Sequence, residues 1–282
     1  MTVRPATLAL VLAAWSGRLE AQTMRPFTTF RQMHGDVRLA VRLEYAAGQL
    51  RLTPGSPAEL YRMDLSYDQD RFLPISDFDA REGAVNLGLK PSGEGGVRVV
   101  SRNQLQQTAS VAFSPRVDLA LDINLGAADA DLDLGGLRVS QLDLKTGASK
   151  AVVRFSRPNA SRCDHATISA GAAQLALLEL GNSRCDEITF EGGVGKVLLD
   201  FSGGWSSNAR ARVTMAMGEL TLRLPRAVGV RINMDKFLSS FAPKGLVRRG
   251  DGFQSSNYDP EKRHLDLDLT TAIGGVNVEW AD

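Results

Sequence analysis

The chain has 282 residues, 43% of them hydrophobic, which is enough to bury the core of one extended domain or of two smaller ones. It carries 33 basic and 32 acidic residues, and no cluster of Lys and Arg stands out along it. Because nucleic-acid binding depends on such clusters to release counterions, the charge pattern excludes nucleic acid as the expected partner.

The N-terminus has the pattern of a secretory signal peptide. Arg4 precedes an apolar run from Ala6 to Trp15, which is too short for a membrane-spanning helix of about 20 residues. We therefore predict that residues 1–21 are removed after Ala21 and that the mature chain, without a membrane-spanning segment, resides in the periplasm or outside the cell. An uncleaved anchor or a slightly different cleavage position is the alternative. Cleavage removes Arg4, Arg18 and Glu20 and leaves 31 basic and 31 acidic residues.

Residues 22–115 are predicted to form a β-rich N-terminal module with a loose repeat. From Leu39 to Tyr45, apolar residues alternate with polar ones, which predicts a strand with one buried face. Gly48 follows that strand, and a similar unit surrounds Gly83.

The rest of the chain, residues 116–282, is predicted to be a repeat domain with a C-terminal cap. Between Leu121 and Leu224 one pattern recurs five times: two alternating apolar residues, two spacers, a glycine and further alternation. The five glycines are 21, 24, 22 and 25 residues apart. Such a period predicts an all-β, parallel β-solenoid with rungs of about 23 residues, each burying its apolar face against the next. A leucine-rich repeat has a similar period, but the period-two alternation after each glycine disfavours it.

The recurring glycines are predicted to lie at corners where the backbone leaves no room for a side chain, and stacked corners form a column. The predicted corner glycines are Gly48, Gly83, Gly126, Gly147, Gly171, Gly193, Gly218 and Gly274.

The later part of the chain departs from the regular pattern. The apolar register slips after Leu177, which predicts a bulge near Glu179. Beyond Leu224 we predict a strand over 228–232, a helical turn over 236–241, an irregular segment over 242–260 and renewed alternation from Leu265. Because the end of a solenoid exposes unpaired strand edges, the irregular segment and Trp280 are predicted to cap the stack.

These units resemble the rungs of the bacterial toastrack superfamily, which includes LiaF-like C-terminal domains and adhesin-like domains. The likeness rests on the units 126–134 and 193–201, and on residues 256–276, which look like the family's terminal rung. Residues 37–115 resemble its N-terminal toastrack module. The resemblance implies a β-solenoid that acts in adhesion or in envelope-stress signalling.

The two cysteines occupy the same position in consecutive units. Cys163 lies eight residues before Gly171, and Cys185 lies eight residues before Gly193. Neighbouring strands in a sheet are about 4.8 Å apart, a separation that a disulfide accepts, so we predict a Cys163–Cys185 disulfide. A metal site that uses both thiolates and His165, and free thiols, are the alternatives.

Other chemistry-bearing groups do not form a recognisable catalytic, cofactor or metal site. Carboxylates that alternate along a strand do not converge on one calcium ion, and none of the histidines lies in a nucleophile or metal motif. A phosphate-loop-like string has Val197 where Ser or Thr is required, and the tripeptide Arg249-Gly250-Asp251 is best explained as a turn. The groups considered are Asp129, Asp131, Asp133, Asp266, Asp268, His34, His165, His264 and residues 193–196.

The sequence therefore favours a non-enzymatic, exported cell-envelope protein that needs no cofactor and binds an envelope protein or a glycan. It would be adhesin-like or associated with envelope stress. The alternative is a polysaccharide lyase or hydrolase, because parallel β-helix enzymes have similar rung lengths and outward carboxylates.

Overall fold

A computed structural model describes residues 23–35, 37–93 and 106–281 of the chain. The predicted signal peptide, its cut after Ala21 and the apolar residues 97–100 lie outside the described residues. The first six strands are β1 (Met24–Gln32), β2 (Arg38–Pro54), β3 (Glu59–Asp68), β4 (Phe72–Asp79), β5 (Ala84–Pro91) and β6 (Thr108–Phe113).

The predicted array contains the next six strands, and the C-terminal region contains the last four. The array strands are β7 (Asp118–Asp133), β8 (Arg138–Thr146), β9 (Lys150–Arg154), β10 (Cys163–Leu178), β11 (Cys185–Asp200) and β12 (Ala209–Leu224). The C-terminal strands are β13 (Gly229–Ala242), β14 (Leu246–Arg249), β15 (Gly252–Ser255) and β16 (His264–Trp280).

Parallel pairing stacks these strands into nine rungs within the described residues. In spatial order, rung 1 is β5 with β6, rung 2 is β2, rung 3 is β7, rung 4 is β8 with β9, and rungs 5 to 9 are β10, β11, β12, β16 and β13. The predicted all-β parallel solenoid is thus confirmed. Because rung 2 lies directly against rung 3, the stack continues across residue 115, and the division of the chain there stays a prediction.

Each rung bends at a corner into two half-strands that share one core. In β11, Ile188 and Phe190 point inward before the corner, whereas Val197 and Leu199 point inward after it. The stacked half-strands form two half-sheets whose apolar faces join in a single cluster. Burying that shared face is what stabilises any one rung, because an isolated rung cannot cover its own apolar side chains.

The C-terminal rungs do not stack in chain order, and this corrects two predictions. β16, which looked like the terminal rung, lies between β12 and β13, so Trp280 ends rung 8 and does not cap the stack. The predicted helical turn over 236–241 is instead part of β13, because pairing with β16 fixes that segment as a strand. The irregular segment does supply a cap, the hairpin β14–β15, which pairs antiparallel with β13.

The predicted bulge near Glu179 is also wrong. β10 ends at Leu178, and a short 3-10 helix follows at Leu180–Ser183. Glu179 takes a left-handed conformation with φ of 58°, which starts the tight turn and brings Leu180 back into the core. The slip in the apolar register therefore marks a change of element and not an extra residue within a strand.

Candidate functional site

The corner is the feature that all full rungs share, and it occupies three successive residues. In rung 3 these are Gly126, Ala127 and Ala128. The equivalent first positions in rungs 2 to 8 are Ala46, Gly126, Gly147, Gly171, Gly193, Ala216 and Ala272. The equivalent third positions in rungs 2 to 9 are Gly48, Ala128, Ser149, Ala173, Gly195, Gly218, Gly274 and Ser239.

The glycines that the sequence placed in one column therefore fall into two. Gly126, Gly147, Gly171 and Gly193 occupy the first corner position. Gly48, Gly218 and Gly274 occupy the third corner position instead. Gly83 lies at no corner but in the hairpin turn between β4 and β5.

The two columns need glycine for different reasons. At the third position, Gly218 and Gly274 have φ values of 129° and 133°, which L side chains rarely adopt. At the first position, Gly171 has no such φ, but a Cβ there would lie 3.4 Å from the carbonyl oxygen of Gly147. The approach is closer at Gly126 and Gly193, where a Cβ would lie 2.3 and 2.7 Å from a carbonyl oxygen of the neighbouring rung, and the first column therefore holds only glycine or alanine in rungs 2 to 8.

A groove runs along this first column from rung 1 to rung 7. Its volume is about 820 Å³, and its floor is the backbone of the corner glycines together with Ala46 and Ala170. Six rung spacings of about 4.8 Å make it about 29 Å long. The floor is level because successive rungs present glycine or alanine at the same place.

Polar side chains from successive rungs line this groove. They alternate in sign and type along its axis, and the rung register brings them together although they are far apart in sequence. From rung 1 to rung 7 they are Lys90, Glu44, Asn124, Lys145, Ser169, Glu191 and Thr214. The groove therefore combines a floor of C–H groups with a wall of hydrogen-bonding and charged groups.

Lys145 and Glu191 are the exposed charges in the middle and at the far side of this groove. Glu44 lies 3.4 Å from the Arg42 guanidinium, so part of its charge is neutralised locally. Among residues 23–35, 37–93 and 106–281, no carboxylate lies within ion-pair distance of the Lys145 ammonium. This side chain is available to a ligand.

An exposed row of aliphatic side chains continues the corner line beyond the groove. The middle corner positions of rungs 6, 7, 8 and 9 are Val194, Met217, Ile273 and Leu238, which stand in register on neighbouring strands. Their exposed fractions are 54, 46, 45 and 66%. We call these four residues the corner ridge. The ridge was not predicted from the sequence, although each member lies beside a corner glycine or in the equivalent position.

The disulfide predicted between Cys163 and Cys185 is present. The two residues face each other in the register of β10 and β11, their Cα atoms are 4.2 Å apart, and both side chains are buried. The bond ties rung 5 to rung 6 at the start of these rungs, eight residues before the first corner position of each.

The aspartates considered for calcium instead take part in contacts between rungs. Asp131 pairs with Arg154 at 2.5 Å, and Asp133 accepts hydrogen bonds from Ser156 Oγ at 2.8 Å. In the C-terminal rungs, Asp266 accepts a hydrogen bond from the Tyr258 hydroxyl and Asp268 accepts one from the Asn233 amide, each at 2.9 Å. Asp129 lies on the same face as Asp131, and the two line a shallow surface pocket with Arg51.

The histidines lie in three separate places. His34 Nδ1 is 2.9 Å from the carbonyl oxygen of Gln32, His165 Nε2 is 3.8 Å from Asp143, and His264 Nε2 is 2.9 Å from the carbonyl oxygen of Tyr258.

The phosphate-loop-like string and the Arg249-Gly250-Asp251 tripeptide both lie in ordinary elements of the fold. Lys196 pairs with Glu219 at 2.8 Å on an outer face, and this contact raises the pKa of the Lys196 ammonium. The tripeptide Arg249-Gly250-Asp251 forms the turn between β14 and β15.

Two buried asparagines that the sequence analysis missed hold the turns between rungs. Asn159 Nδ2 donates to the carbonyl oxygens of Val139 at 2.7 Å and Ser183 at 2.9 Å. Asn182 Nδ2 donates to the carbonyl oxygen of Phe155, and its Oδ1 accepts from the Gly204 amide. Their position in matching polar turns was the available signal. These hydrogen bonds join neighbouring rungs at their turns, at the opposite end of the half-strands from the corner glycines.

Two kinds of feature are absent from the described part of the chain. It contains no group of three or more His, Cys, Asp and Glu side chains arranged to hold a metal ion. In the same residues, no helix has the length and apolarity needed to cross a bilayer.

Comparison with known proteins gives a family match and several structural likenesses. The family model for the N-terminal domain of toast_rack, DUF2154, matches residues 22–178. A search of curated proteins finds no match.

Three solved structures are similar over most of the chain. One is described as "a putative cell adhesion protein" from Clostridium sporogenes, with 16% identity, a TM-score of 0.47 and coverage of 91% of this chain and 100% of that one. "A putative adhesin" from Bacteroides fragilis has 11% identity, a TM-score of 0.40 and coverage of 90% and 97%. A "putative lipid binding protein" from Parabacteroides distasonis has 10% identity, a TM-score of 0.36 and coverage of 91% and 97%.

Proposed function

Because the chain belongs to the toast_rack family, whose N-terminal domain spans residues 22–178, we propose that it is a non-enzymatic, exported, adhesin-like protein that binds an extended envelope glycan along its corner groove. The groove carries this proposal. It crosses seven rungs without a step, so it suits a long chain better than a compact small molecule.

The chemistry of the groove favours a glycan. A sugar ring has a face of C–H groups and a rim of hydroxyls. The C–H groups of the glycine and alanine floor match that face, while Asn124, Ser169 and Lys145 offer hydrogen bonds to the rim. Sites of this composition, with apolar lining and a few placed polar groups, are typical of ligand binding.

Two observations support export to the envelope. A buried disulfide is typical of proteins that mature in an oxidising compartment. The predicted signal peptide at residues 1–21 is consistent with the same destination. The outer carboxylates support a binding role over a lyase or hydrolase, because Asp131 and Asp133 are engaged with Arg154 and Ser156.

The test is binding of the full chain to an array of linear envelope glycans, followed by calorimetry on any hit. We expect Ser169→Trp, which fills the middle of the groove, to weaken binding at least about tenfold. Thr221→Trp, on the outer face of the other half-sheet, is the matched control and should bind as the natural chain does.

Failure to bind any glycan, or equal binding by Ser169→Trp, would show that the groove is not a glycan site. Incubation of the bound glycans with the chain tests the enzymatic alternative, because a lyase or hydrolase would release shortened products and a binding protein would not.

A further inference from the structure

The middle corner position changes character along the stack. In rungs 2 to 5 it is alanine in every rung, at Ala47, Ala127, Ala148 and Ala172. In rungs 6 to 9 it is a large aliphatic residue, and these four residues form the corner ridge. The corner edge of the stack therefore carries only methyl groups over rungs 2 to 5 and projecting aliphatic side chains over rungs 6 to 9.

The corner groove and the corner ridge share this edge. Gly193 of rung 6 lines the groove, and the next residue, Val194, is the first member of the ridge. The first corner column continues in rungs 7 and 8 as Ala216 and Ala272, both exposed. A molecule that fills the groove therefore has the ridge directly beside its far end.

The ridge projects because the columns on both sides of it are small. Ala216 and Ala272 lie on one side, and Gly195, Gly218 and Gly274 lie on the other. The exposed fractions of its members, 45 to 66%, leave about half of each side chain in water. A contiguous row of large exposed aliphatic side chains marks an interaction surface.

The size of the ridge narrows what can cover it. A stable protein interface takes about 20–30 residues from each partner, whereas the ridge has four. So short an apolar row is also a weak membrane anchor by itself, because one apolar anchor gives only marginal attachment and stable attachment needs a second signal. A groove that binds a ligand held in the same membrane supplies that second signal.

We propose that the groove binds the glycan of a membrane glycolipid and that the corner ridge inserts among the acyl chains of the same membrane. This inference rests on the proposed glycan-binding function of the groove. With the corner edge turned toward the membrane, rungs 2 to 5 leave room for the glycan at the level of the headgroups. The aliphatic side chains of rungs 6 to 9 reach deeper, as the apolar face of an interfacial element does at the boundary of headgroups and acyl chains.

The groups beside the middle of the ridge allow this contact. In rungs 7 and 8, the outward residues that precede the corner are Thr214 and Thr270, which are uncharged. The outward residues that follow the corner are Glu219, whose carboxylate pairs with the Lys196 ammonium at 2.8 Å, and Gly275. The middle of the ridge therefore meets the acyl chains without burying an unpaired charge.

Vesicle binding by the full chain tests the inference. The probes are phosphatidylcholine vesicles that carry lipoteichoic acid or lipopolysaccharide, plain phosphatidylcholine vesicles, and the same two polymers after removal of their acyl chains. We expect the natural chain to bind one of the glycolipid vesicles at least about tenfold more tightly than the matching delipidated polymer, and plain vesicles only weakly. Flotation measures the vesicles, and calorimetry measures the polymers.

Ile273→Asn separates the ridge from the groove, because rung 8 lies beyond the groove. An amide among acyl chains lacks a hydrogen-bond partner, so this variant should bind the glycolipid vesicle at least about tenfold more weakly and the delipidated polymer unchanged. Val247→Asn is the matched control, because Val247 is 53% exposed against 45% for Ile273 and lies on the cap hairpin, away from the corner edge. Ser169→Trp, in the groove, should weaken binding of both.

The outcomes distinguish the ridge from the groove. Equal binding of glycolipid vesicles by the natural chain and by a folded Ile273→Asn chain, or equal binding of plain and glycolipid vesicles, would overturn the inference and leave the groove as a glycan site. Absence of binding to both glycolipids and to their delipidated polymers would also overturn it, and the glycan array then decides the groove alone. A dimer of the natural chain that Ile273→Asn dissociates, seen by light scattering, would assign the ridge to a second copy instead. Circular dichroism establishes that each variant is folded.

Discussion

Alanine at Gly218 and alanine at Gly171 should have very different effects, although the sequence placed both glycines in the same role. Gly218 has a φ of 129°, and a Cβ there would overlap the carbonyl oxygen of Gly195 in the next rung. Gly171 has an ordinary φ, and its Cβ would lie 3.4 Å from the carbonyl oxygen of Gly147. One substitution strains the backbone and separates two rungs, whereas the other only tightens a contact.

The free energies follow from these geometries. Forcing an L residue into the left-handed region costs about 1–2 kcal/mol, and overpacking a closed contact costs about 1–3 kcal/mol, so Gly218→Ala should lower the free energy of unfolding by about 3 kcal/mol. Gly171→Ala should change it by less than about 1 kcal/mol, because the contact cost is offset by the smaller entropy of the unfolded chain.

Urea unfolding followed by circular dichroism measures both values on the same scale. The natural chain is the reference for both values. Ala128→Gly, which replaces alanine by glycine at a third corner position, is measured beside them as the reverse substitution. Equal losses for Gly218→Ala and Gly171→Ala would refute the two-column register, and a larger loss for Gly171→Ala would reverse it.

Three further predictions concern the bonds between rungs. Reduction of the Cys163–Cys185 disulfide, which joins residues 22 apart, should lower the free energy of unfolding by about 3 kcal/mol in urea titrations with and without reductant. Asn182→Ala should cost about 1–3 kcal/mol in the same assay, because it leaves the Phe155 carbonyl and the Gly204 amide without this partner. Burial raises the pKa of the Tyr45 phenol above its ordinary value of 10.0, so the folded chain holds that proton more tightly than the unfolded chain. Stability should therefore fall as the pH rises above about 10, and Tyr45→Phe should reduce this slope in alkaline unfolding curves.

The regular rungs were predictable because burial alternates along each half-strand on either side of the corner. In β10 and β11 the inward side chains on both sides of the corner are mostly aliphatic or aromatic and alternate with exposed or half-buried neighbours, so the sequence carries the period of the strand. The disulfide followed from the same period, because Cys163 and Cys185 hold equivalent places in two units.

The order of the last rungs was not predictable from that pattern. β13 and β16 both alternate, and alternation says which face of a strand is buried but not which strand lies beside it. The division of the corner glycines into two columns could not be predicted for a related reason. Gly193 and Gly195 are two residues apart and both suit a corner, and only the pairing of Gly195 with Gly218 decides between them.

The candidate site was predictable only in part. The sequence located Gly126, Gly147 and Gly171 at corners, but the groove exists because these corners stack and bring Lys145 and Ser169 to one wall. The corner ridge escaped notice because its four members are separated by long stretches of chain. Their alignment depends on the position of β16, which only the three-dimensional arrangement supplies.

The spatial order of rungs 7 to 9 is tested most directly by engineered disulfides. Thr214 of β12 is paired with Thr270 of β16, which is paired with Asp235 of β13. Thr214→Cys with Thr270→Cys should therefore form a disulfide, whereas Thr214→Cys with Asp235→Cys should not, because two strand spacings of about 9.6 Å exceed its reach. A bond in the second pair and none in the first would mean that the rungs stack in chain order and would contradict the arrangement described.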